Sequence, residues 1–328
     1  MIRALYRPRT GPLRTDLRPD EFRAALRDSR GLLWVDFVEE PPEVCKRIME
    51  DTFGFHPLAI DDALEETHLP KLDDWEDYLY LVLRVIEFDE HAEEQTNVPE
   101  LDLFVGKNYV VTYREEPIAA IERVWATCQQ NLSYINSGAG HLLYRLIDDL
   151  VTSYLLLVEV FDEAIDRIED QLFDNPDPAA LEAIFDLKRS LLQVRRIIGP
   201  QREVLNRLAR DHHAVIKTKD QVFFRDVYDH LVRLQEIVDS MRELLGSALN
   251  TYLSVVNNRM NDVMKTLTVF TALFMPLSFI VGFFGMNFFQ ATTPLPAWTS
   301  TPVFGLTLVA ATLLPVLMYF WVRRRGWV

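Results

Sequence analysis

The sequence predicts an α/β cytoplasmic domain, then a long helical stalk, and finally two C-terminal transmembrane helices. Three observations support this fold class. Residues 266–322 contain no Asp, Glu, Lys, Arg or His, short runs of β-branched and aromatic residues recur within residues 1–135, and the apolar spacing changes to the helical period of 3.6 from about Gly140. Because about 20 apolar residues span a bilayer, the uncharged run is long enough for two spans and a turn.

The first 135 residues carry the strand signals. Residues 31–38 have the composition of a strand, and residues 41–53 that of a helix entered through prolines at its first turn. Residues 78–88 and 101–114 are again rich in β-branched and aromatic side chains. The second of these runs is interrupted at Gly106-Lys107-Asn108, which predicts a hairpin turn. This part therefore mixes strands and helices.

Three long helices follow. Residues 142–172 and 179–210 are amphipathic, and a third helix begins near Lys219 and meets no proline before Pro276. About 60 helical residues extend roughly 85 Å, so the third helix is expected to continue into the first span. The predicted segments are 1–135 (cytoplasmic α/β domain), 136–218 (long cytoplasmic helices), 219–265 (stalk helix), 266–287 (first transmembrane helix), 288–302 (external loop), 303–322 (second transmembrane helix) and 323–328 (basic cytoplasmic tail).

The charges that flank the two spans predict their orientation. Lys265 precedes the first span and Arg323, Arg324 and Arg325 follow the second, whereas the connecting loop has no Lys or Arg. By the positive-inside rule, both termini are cytoplasmic and the loop is external. The N-terminal stretch lacks the apolar core of a signal peptide. We therefore expect a plasma-membrane protein with two passes.

Composition narrows the class of function. The formal net charge is −15, which argues against nucleic acid as a partner and favours cations. Two cysteines in 328 residues suit a reducing compartment. Metal-binding His-Glu-x-x-His, phosphate-binding glycine loops and nucleophile elbows are missing from the sequence. An enzyme is not expected, and neither is an organic cofactor.

A stripe of polar, small or Met residues runs along the third helix. Its members, at alternating steps of four and three, are Asn257, Asn261, Met264, Thr268, Thr271, Met275, Ser278 and Gly282. Heptad spacing of this kind faces one axis when helices pack around it. The stripe is either a close helix–helix contact through small residues or the wall of a narrow aqueous pore. Two spans cannot enclose a channel, so a pore requires a homo-oligomer.

Asn287 stands just beyond the first span. Asn287 either caps a helix end, or its amide oxygen accepts hydrogen bonds from the water shell of a cation. The second role suits Mg²⁺, which releases its waters reluctantly.

The triplet Gly285-Met286-Asn287 follows the first span, Phe274-Met275-Pro276-Leu277 lies within it, and a basic tail follows the second span. In these motifs the sequence resembles the CorA family of Mg²⁺ channels. Upstream matches continue in collinear order, at His56-Pro57-Leu58, Pro70-Lys71, Leu187-Lys188-Arg189, Arg202-Glu203-Val204 and the segment from Phe224 to His230. The matching motifs thus cover nearly the whole chain.

The resemblance implies a homopentamer with a funnel-shaped cytoplasmic domain and a pore lined by the first transmembrane helix. It assigns the selectivity filter to Gly285, Met286 and Asn287 and a hydrophobic constriction to Met264 and Leu267. The remaining pore positions are Asn261, Thr268, Thr271, Met275 and Ser278, of which Thr268 comes from the stripe alone. The family's external loop often carries an acid, whereas residues 288–294 here carry none.

The resemblance further implies regulation by intracellular Mg²⁺ at acidic sites between subunits. The matching positions are Asp61, Asp62, Asp148 and Asp226, which are otherwise surface acids of an acidic protein. Mg²⁺ is then both transported and regulatory, and Co²⁺ and Ni²⁺ are further candidate cargoes. The alternatives are a proton-coupled zinc transporter of the ZntB type, against which Met286 counts, and a membrane-anchored coiled-coil scaffold or sensor that transports nothing.

Overall fold

The computed structural model describes residues 1–325 except 16, 66–68, 89–95, 175–177 and 286–300. The chain divides into two compact units, Met1–Leu249 and Asn250–Val328.

A mixed six-stranded sheet is the centre of the first unit. Its strands, in spatial order, are β1 (Ile2–Arg7), β2 (Leu32–Val38), β8 (Tyr109–Arg114), β7 (Glu100–Gly106), β4 (Tyr78–Arg84) and β3 (Lys71–Asp74). β2 and β8 run parallel, and the other neighbours are antiparallel. β7 and β8 form the hairpin predicted at Gly106-Lys107-Asn108. The predicted strand 78–88 instead ends at Arg84, and its last two residues form β5 (Glu87–Phe88), which pairs with β6 (Thr96–Asn97).

Every helix that the sequence predicted is present in the described part of the chain, together with four shorter helices that it did not predict. They are α1 (Pro19–Leu26), α2 (Pro42–Ile48) with a π-helical turn at Met49–Phe53, α3 (Pro57–Leu64), α4 (Ala119–Gln130), α5 (Ser133–Asn136), α6 (Ala139–Asp174), α7 (Pro178–Arg210), α8 (Gln221–Gly285) and α9 (Thr301–Arg324). α8 is continuous over 65 residues, as its lack of early prolines predicted. An α/β domain, a long helix and two apolar C-terminal helices confirm the fold class.

The two faces of the sheet bury different kinds of side chain. On one face Val35 and Phe37 of β2 pack with Phe104 of β7, Phe22 of α1 and Cys45 of α2 in an apolar core. On the other face, α6 contacts β7 and β8, and α4 packs on α6. The alternation of a strand places neighbouring residues on opposite faces, so one strand contributes to both layers.

A buried ionic network lies on this second face. Asp36 and Arg114 are 0% and 1% exposed, and Nη2 of Arg114 donates to Oδ2 of Asp36 over 2.9 Å. Nε of Arg3 on β1 donates to the same oxygen over 2.9 Å, and Glu122 of α4 accepts from both arginines. Burial of a charge is tolerated when it is paired and hydrogen-bonded. The network therefore fastens β1, which the sequence analysis had not predicted, to β2, β8 and α4.

Both cysteines are free and buried. Burial raises the pKa of the Cys45 thiol to about 12, with a further contribution from Glu40. Burial likewise raises the pKa of Cys128 to about 12. These thiols act as small apolar core residues.

The second unit exposes its apolar side chains. α9 and the last part of α8 are long and apolar enough to cross a membrane, with Leu306 74% and Phe279 73% exposed. Large apolar patches are rare on the water-facing surface of soluble proteins. The exposed side chains therefore fit contact with lipid or with other helices. α9 begins two residues before its predicted start at Val303, an ordinary uncertainty at a helix end.

Candidate ion pathway and regulatory carboxylates

The polar stripe of α8 is exposed along its whole length. Each of its members is exposed in the chain: Asn257, Asn261, Met264, Thr268, Thr271, Met275, Ser278 and Gly282. Leu267, which the resemblance added to the constriction, is exposed as well. The stripe is therefore available to something outside the chain.

A different face of the same helix is shielded. Val269 is buried, and Leu273, Pro276, Leu277 and Ile280 are partly buried. At about 100° per residue, the centre of this shielded face lies roughly 140° around the helix from the polar stripe. Packing within the chain thus uses one face of α8 and leaves the stripe uncovered.

The stripe threonines direct their hydroxyl protons into their own helix. Oγ1 of Thr268 donates to the carbonyl oxygen of Met264 over 2.7 Å, and Oγ1 of Thr271 donates to that of Leu267 over 2.9 Å. A hydroxyl has one proton and two acceptor lone pairs, so the outward side of each oxygen is left as an acceptor. A hydrated cation presents water protons, and such acceptors can bind them.

The predicted filter lies at the end of the described helix. Gly285 is the last residue of α8, whereas Met286, Asn287 and most of the loop lie outside the described residues. Met264, Leu267 and Met275 place exposed apolar side chains between the polar positions. The assignment of Met264 and Leu267 to a constriction stays a prediction, as does that of Met275 to the pore.

Asp61 and Asp62 are neighbours on α3, and each carboxylate pairs with a lysine. Nζ of Lys46 on α2 lies 2.8 Å from Oδ1 of Asp61. Nζ of Lys71 on β3 lies 2.5 Å from Oδ2 of Asp62. Both aspartates are partly exposed. Each carboxylate already forms an ion pair with a cationic group and is reached by solvent. Both are therefore chemically suited and accessible to a hydrated divalent cation.

Lys71 has several further neighbours. Its Nζ lies 3.2 Å from Oδ2 of Asp73 and 5.0 Å from the centre of the Tyr80 ring, while the Tyr80 hydroxyl donates to buried Asp102 over 2.7 Å. Burial lowers the pKa of Lys71, but the hydrogen bonds to Asp62 and Asp73 outweigh it, and the net pKa is raised. The hydrogen bond to Asp61 likewise raises the pKa of Lys46. Both lysines are therefore charged.

Asp148 on α6 and Asp226 on α8 form the second acidic pair. Burial raises the pKa of half-buried Asp148, and the charge of Asp226 raises it further. The hydrogen bond from Tyr144 and the charges of Arg145 and His230 act in the opposite direction. A cation between the two carboxylates would offset their repulsion.

Asp61 and Asp62 are consecutive residues of α3 whose carboxylates pair with different lysines, whereas Asp148 and Asp226 interact electrostatically with each other. Among the residues that the structure describes, no three His, Cys, Asp or Glu side chains are placed to hold a metal ion. Mg²⁺ keeps most of its waters and commonly binds through only one or two carboxylates, so a single carboxylate or the Asp148–Asp226 pair is a sufficient donor set.

The sequence analysis missed the basic partners of these acids. Lys46 lies 15 residues from Asp61 and Lys71 lies 9 residues from Asp62, separations that no single helix or strand joins. His230 was accessible to sequence reasoning because it follows Asp226 by four residues on one helix, where side chains meet.

The comparisons with known proteins agree on one family. The family described as "CorA-like Mg²⁺ transporter protein" matches residues 29–324. The "Cobalt/magnesium transport protein CorA" of Thermotoga maritima is 33% identical over 303 residues, 92% of this chain and 85% of that protein. The "Zinc transport protein ZntB" of Yersinia pseudotuberculosis is 24% identical over 274 residues, 83% of this chain and 81% of that protein.

The fold has a solved counterpart. The complete structure of the CorA magnesium transporter from Methanocaldococcus jannaschii matches with a TM-score of 0.83 at 24% identity, covering 99% of this chain and 98% of that one. This likeness supports the fold, and the family match over residues 29–324 confirms the expectation of a transporter rather than an enzyme. The chain therefore belongs to the CorA-like Mg²⁺ transporter family.

Proposed function

We propose that the chain is one subunit of a homopentameric channel that carries Mg²⁺ across the plasma membrane into the cell, with Co²⁺ and Ni²⁺ as further cargoes. The observation that carries the proposal is the polar stripe of α8. It is exposed in the chain, and its threonine hydroxyls can accept hydrogen bonds. The Thermotoga relative is named a cobalt and magnesium transport protein. Its greater identity than that of the zinc transport protein, 33% against 24%, favours this cargo over zinc.

The chemistry of the stripe suits a cation that keeps its water shell. Mg²⁺ dehydrates reluctantly, so a pathway for it needs acceptors for water protons rather than direct ligands. Thr268 and Thr271 offer lone pairs because their protons are bound to the helix. The amide oxygens of Asn261 and Asn287 would extend the acceptor row, with Asn287 receiving the hydrated ion at the outer mouth.

Several copies of the chain are needed to enclose the pathway. Two spans leave the stripe facing outward, and a ring of copies would turn it towards a common axis. The number five comes from the family resemblance. Rings of Met264 and Leu267 would then form an apolar constriction that closes by dewetting.

Intracellular Mg²⁺ is proposed to regulate the channel through Asp61, Asp62, Asp148 and Asp226. Carboxylates that face one another across subunit contacts repel until a cation neutralises them. A ligand shifts an equilibrium only through its differential affinity for the two states. If each site contributes about 1 kcal/mol of differential binding free energy, the sites together approach the roughly 5.5 kcal/mol that inverts a 1:99 ratio of two conformations. Bound Mg²⁺ would then favour the conformation with the closed pore.

The orientation is proposed from the flanking charges. Lys265 and Arg323 to Arg325 would lie on the cytoplasmic side, with the loop outside. Protease added to inverted membrane vesicles should then digest the Met1–Leu249 unit, and protease added to intact cells should spare it. The reverse pattern would contradict this orientation.

Ion flux in proteoliposomes tests the proposed function. Proteoliposomes that contain the purified chain should take up Mg²⁺ without a proton gradient. The substitution Asn287→Ala should lower this uptake at least 10-fold while the oligomer stays assembled. Zinc uptake that requires a proton gradient, with no Mg²⁺ flux, would identify a zinc transporter instead. Normal Mg²⁺ flux in Asn287→Ala would contradict the filter assignment alone.

A further inference from the structure

The acids of α3 are not free carboxylates. Asp62 pairs with Lys71 over 2.5 Å, and Asp61 pairs with Lys46 over 2.8 Å. An incoming cation must therefore compete with an ammonium group that the chain itself supplies.

We propose that Lys71 is a built-in competitor for Mg²⁺ at Asp62, and that it sets the Mg²⁺ concentration at which the regulatory site fills. The proposal rests on the regulatory role proposed above for Asp61 and Asp62. It adds a residue that opposes binding and so raises the Mg²⁺ concentration at which the site fills.

Lys71 is held at this position by its surroundings. Its side chain is 28% exposed, whereas that of Lys46 is 44% exposed. Its Nζ lies over the Tyr80 ring, and the Tyr80 hydroxyl is itself fixed on buried Asp102. A cation over an aromatic face is attracted by the ring. The ammonium thus stays beside Asp62 instead of sampling solvent, which makes Lys71 the stronger competitor of the two.

Asp73 provides a second partner for the displaced ammonium. It lies two residues along β3 from Lys71, on the same side of the strand, with Oδ2 at 3.2 Å from Nζ. When Mg²⁺ takes Asp62, the ammonium can remain paired with Asp73 and over Tyr80. The exchange then needs a side-chain movement only, and no buried charge is left without a partner.

The experiment is a Mg²⁺ titration of the full-length channel in two readouts, protease protection of the cytoplasmic part and inhibition of flux. Lys71→Met keeps the apolar stem and removes the charge. Since this change removes a positive charge that repels a divalent ion at Asp62, the midpoint should fall at least fivefold. Lys46→Met should move it less. Lys107→Met, in the exposed β7–β8 turn, controls for the change in net charge.

Asp73→Asn tests the exchange from the other side. Without its alternative partner, the ammonium should stay on Asp62, and the Mg²⁺ midpoint should rise. In the Lys71→Met background the same substitution should lose most of this effect, because the effect acts through Lys71. A fully additive pair of shifts would overturn the proposal, as would an unchanged midpoint in Lys71→Met.

Asp62→Asn separates the two proposals. If it leaves both Mg²⁺ midpoints unchanged, the regulatory assignment fails and the competitor proposal fails with it. If it raises the midpoints while Lys71→Met matches Lys107→Met, the regulatory site stands and the competitor proposal alone is wrong. Should Lys71→Met fail to fold, the Asp73→Asn shift still decides the question, because a lowered or unchanged midpoint there contradicts the exchange.

Discussion

The two units of the chain place their side chains by opposite rules. In the Met1–Leu249 unit, large apolar side chains such as Phe22 and Phe104 are fully buried in a core. In the Asn250–Val328 unit, Leu306 and Phe279 are among the most exposed large apolar side chains. The difference shows that each unit is built for a different solvent, water for the first and the bilayer for the second.

Hydroxyl groups follow secondary structure rather than the unit that contains them. Oγ1 of Thr112 on β8 donates to Asp36 on β2 over 2.6 Å. Thr127 on α4 of the first unit and Thr312 on α9 of the second unit both donate to the carbonyl oxygen four residues earlier in their own helices.

The largest expected effect comes from breaking the buried ionic network. Arg114→Met leaves Asp36 charged and buried with one partner fewer, which should cost about 3–5 kcal/mol. Arg123→Met removes the surface pair with Asp149 and should cost about 1 kcal/mol or less. Urea denaturation of the detergent-purified protein, followed by circular dichroism, measures both. Equal losses would mean that the network does not stabilise the first unit.

Replacing an exposed leucine by lysine tests directly whether that position faces lipid or water. Leu313 on α9 is 55% exposed and Leu156 on α6 is 63% exposed. Leu313→Lys should cost about 2.5–3.5 kcal/mol of membrane insertion and lower the yield in the membrane fraction. Leu156→Lys should change stability by about 0.5 kcal/mol or less. Similar membrane yields for the two variants would argue against a lipid-facing α9.

The smallest effect concerns the acidic pair. Because the folded-state pKa of Asp148 is raised, its contribution to stability is present at low pH and is lost as the pH rises through that pKa. Asp148→Asn should therefore raise Tm near neutral pH by about 2 °C, and the gain should vanish in acid or with Mg²⁺. Asp149→Asn, which loses the Arg123 pair, should lower Tm slightly. A lower Tm for Asp148→Asn at neutral pH would contradict a charge penalty from the burial of Asp148 and from Asp226.

Features that depend on local pattern could be predicted from the sequence. The uncharged run of residues 266–322 and the 3.6 period are properties of neighbouring residues, so α6, α7, α8 and α9 were expected. β1 was not predicted, because Arg3 and Arg7 give it the look of a polar terminus. Its register against β2 and the partial burial of Arg3 depend on residues at least 25 positions away.

The candidate site also has one part that local pattern predicts and one part that depends on the tertiary fold. The stripe of α8 follows from spacing along one helix, and its exposure in the chain agrees with that spacing. The partners of Asp61 and Asp62 could not be predicted, because α2, α3 and β3 meet only after the chain has folded. The sequence therefore identifies the candidate aspartates, and only the tertiary structure reveals the lysines with which they pair.

The burial of both cysteines has a practical consequence for measuring the motions of this transporter. A thiol with a pKa of about 12 holds almost no thiolate at neutral pH, and thiolate is the reactive form. A single cysteine introduced at an exposed position, such as Asp226 or Leu306, should react far faster with a maleimide dye or spin label. The natural chain can thus serve as its own background for fluorescence or electron-spin distance measurements within the proposed oligomer.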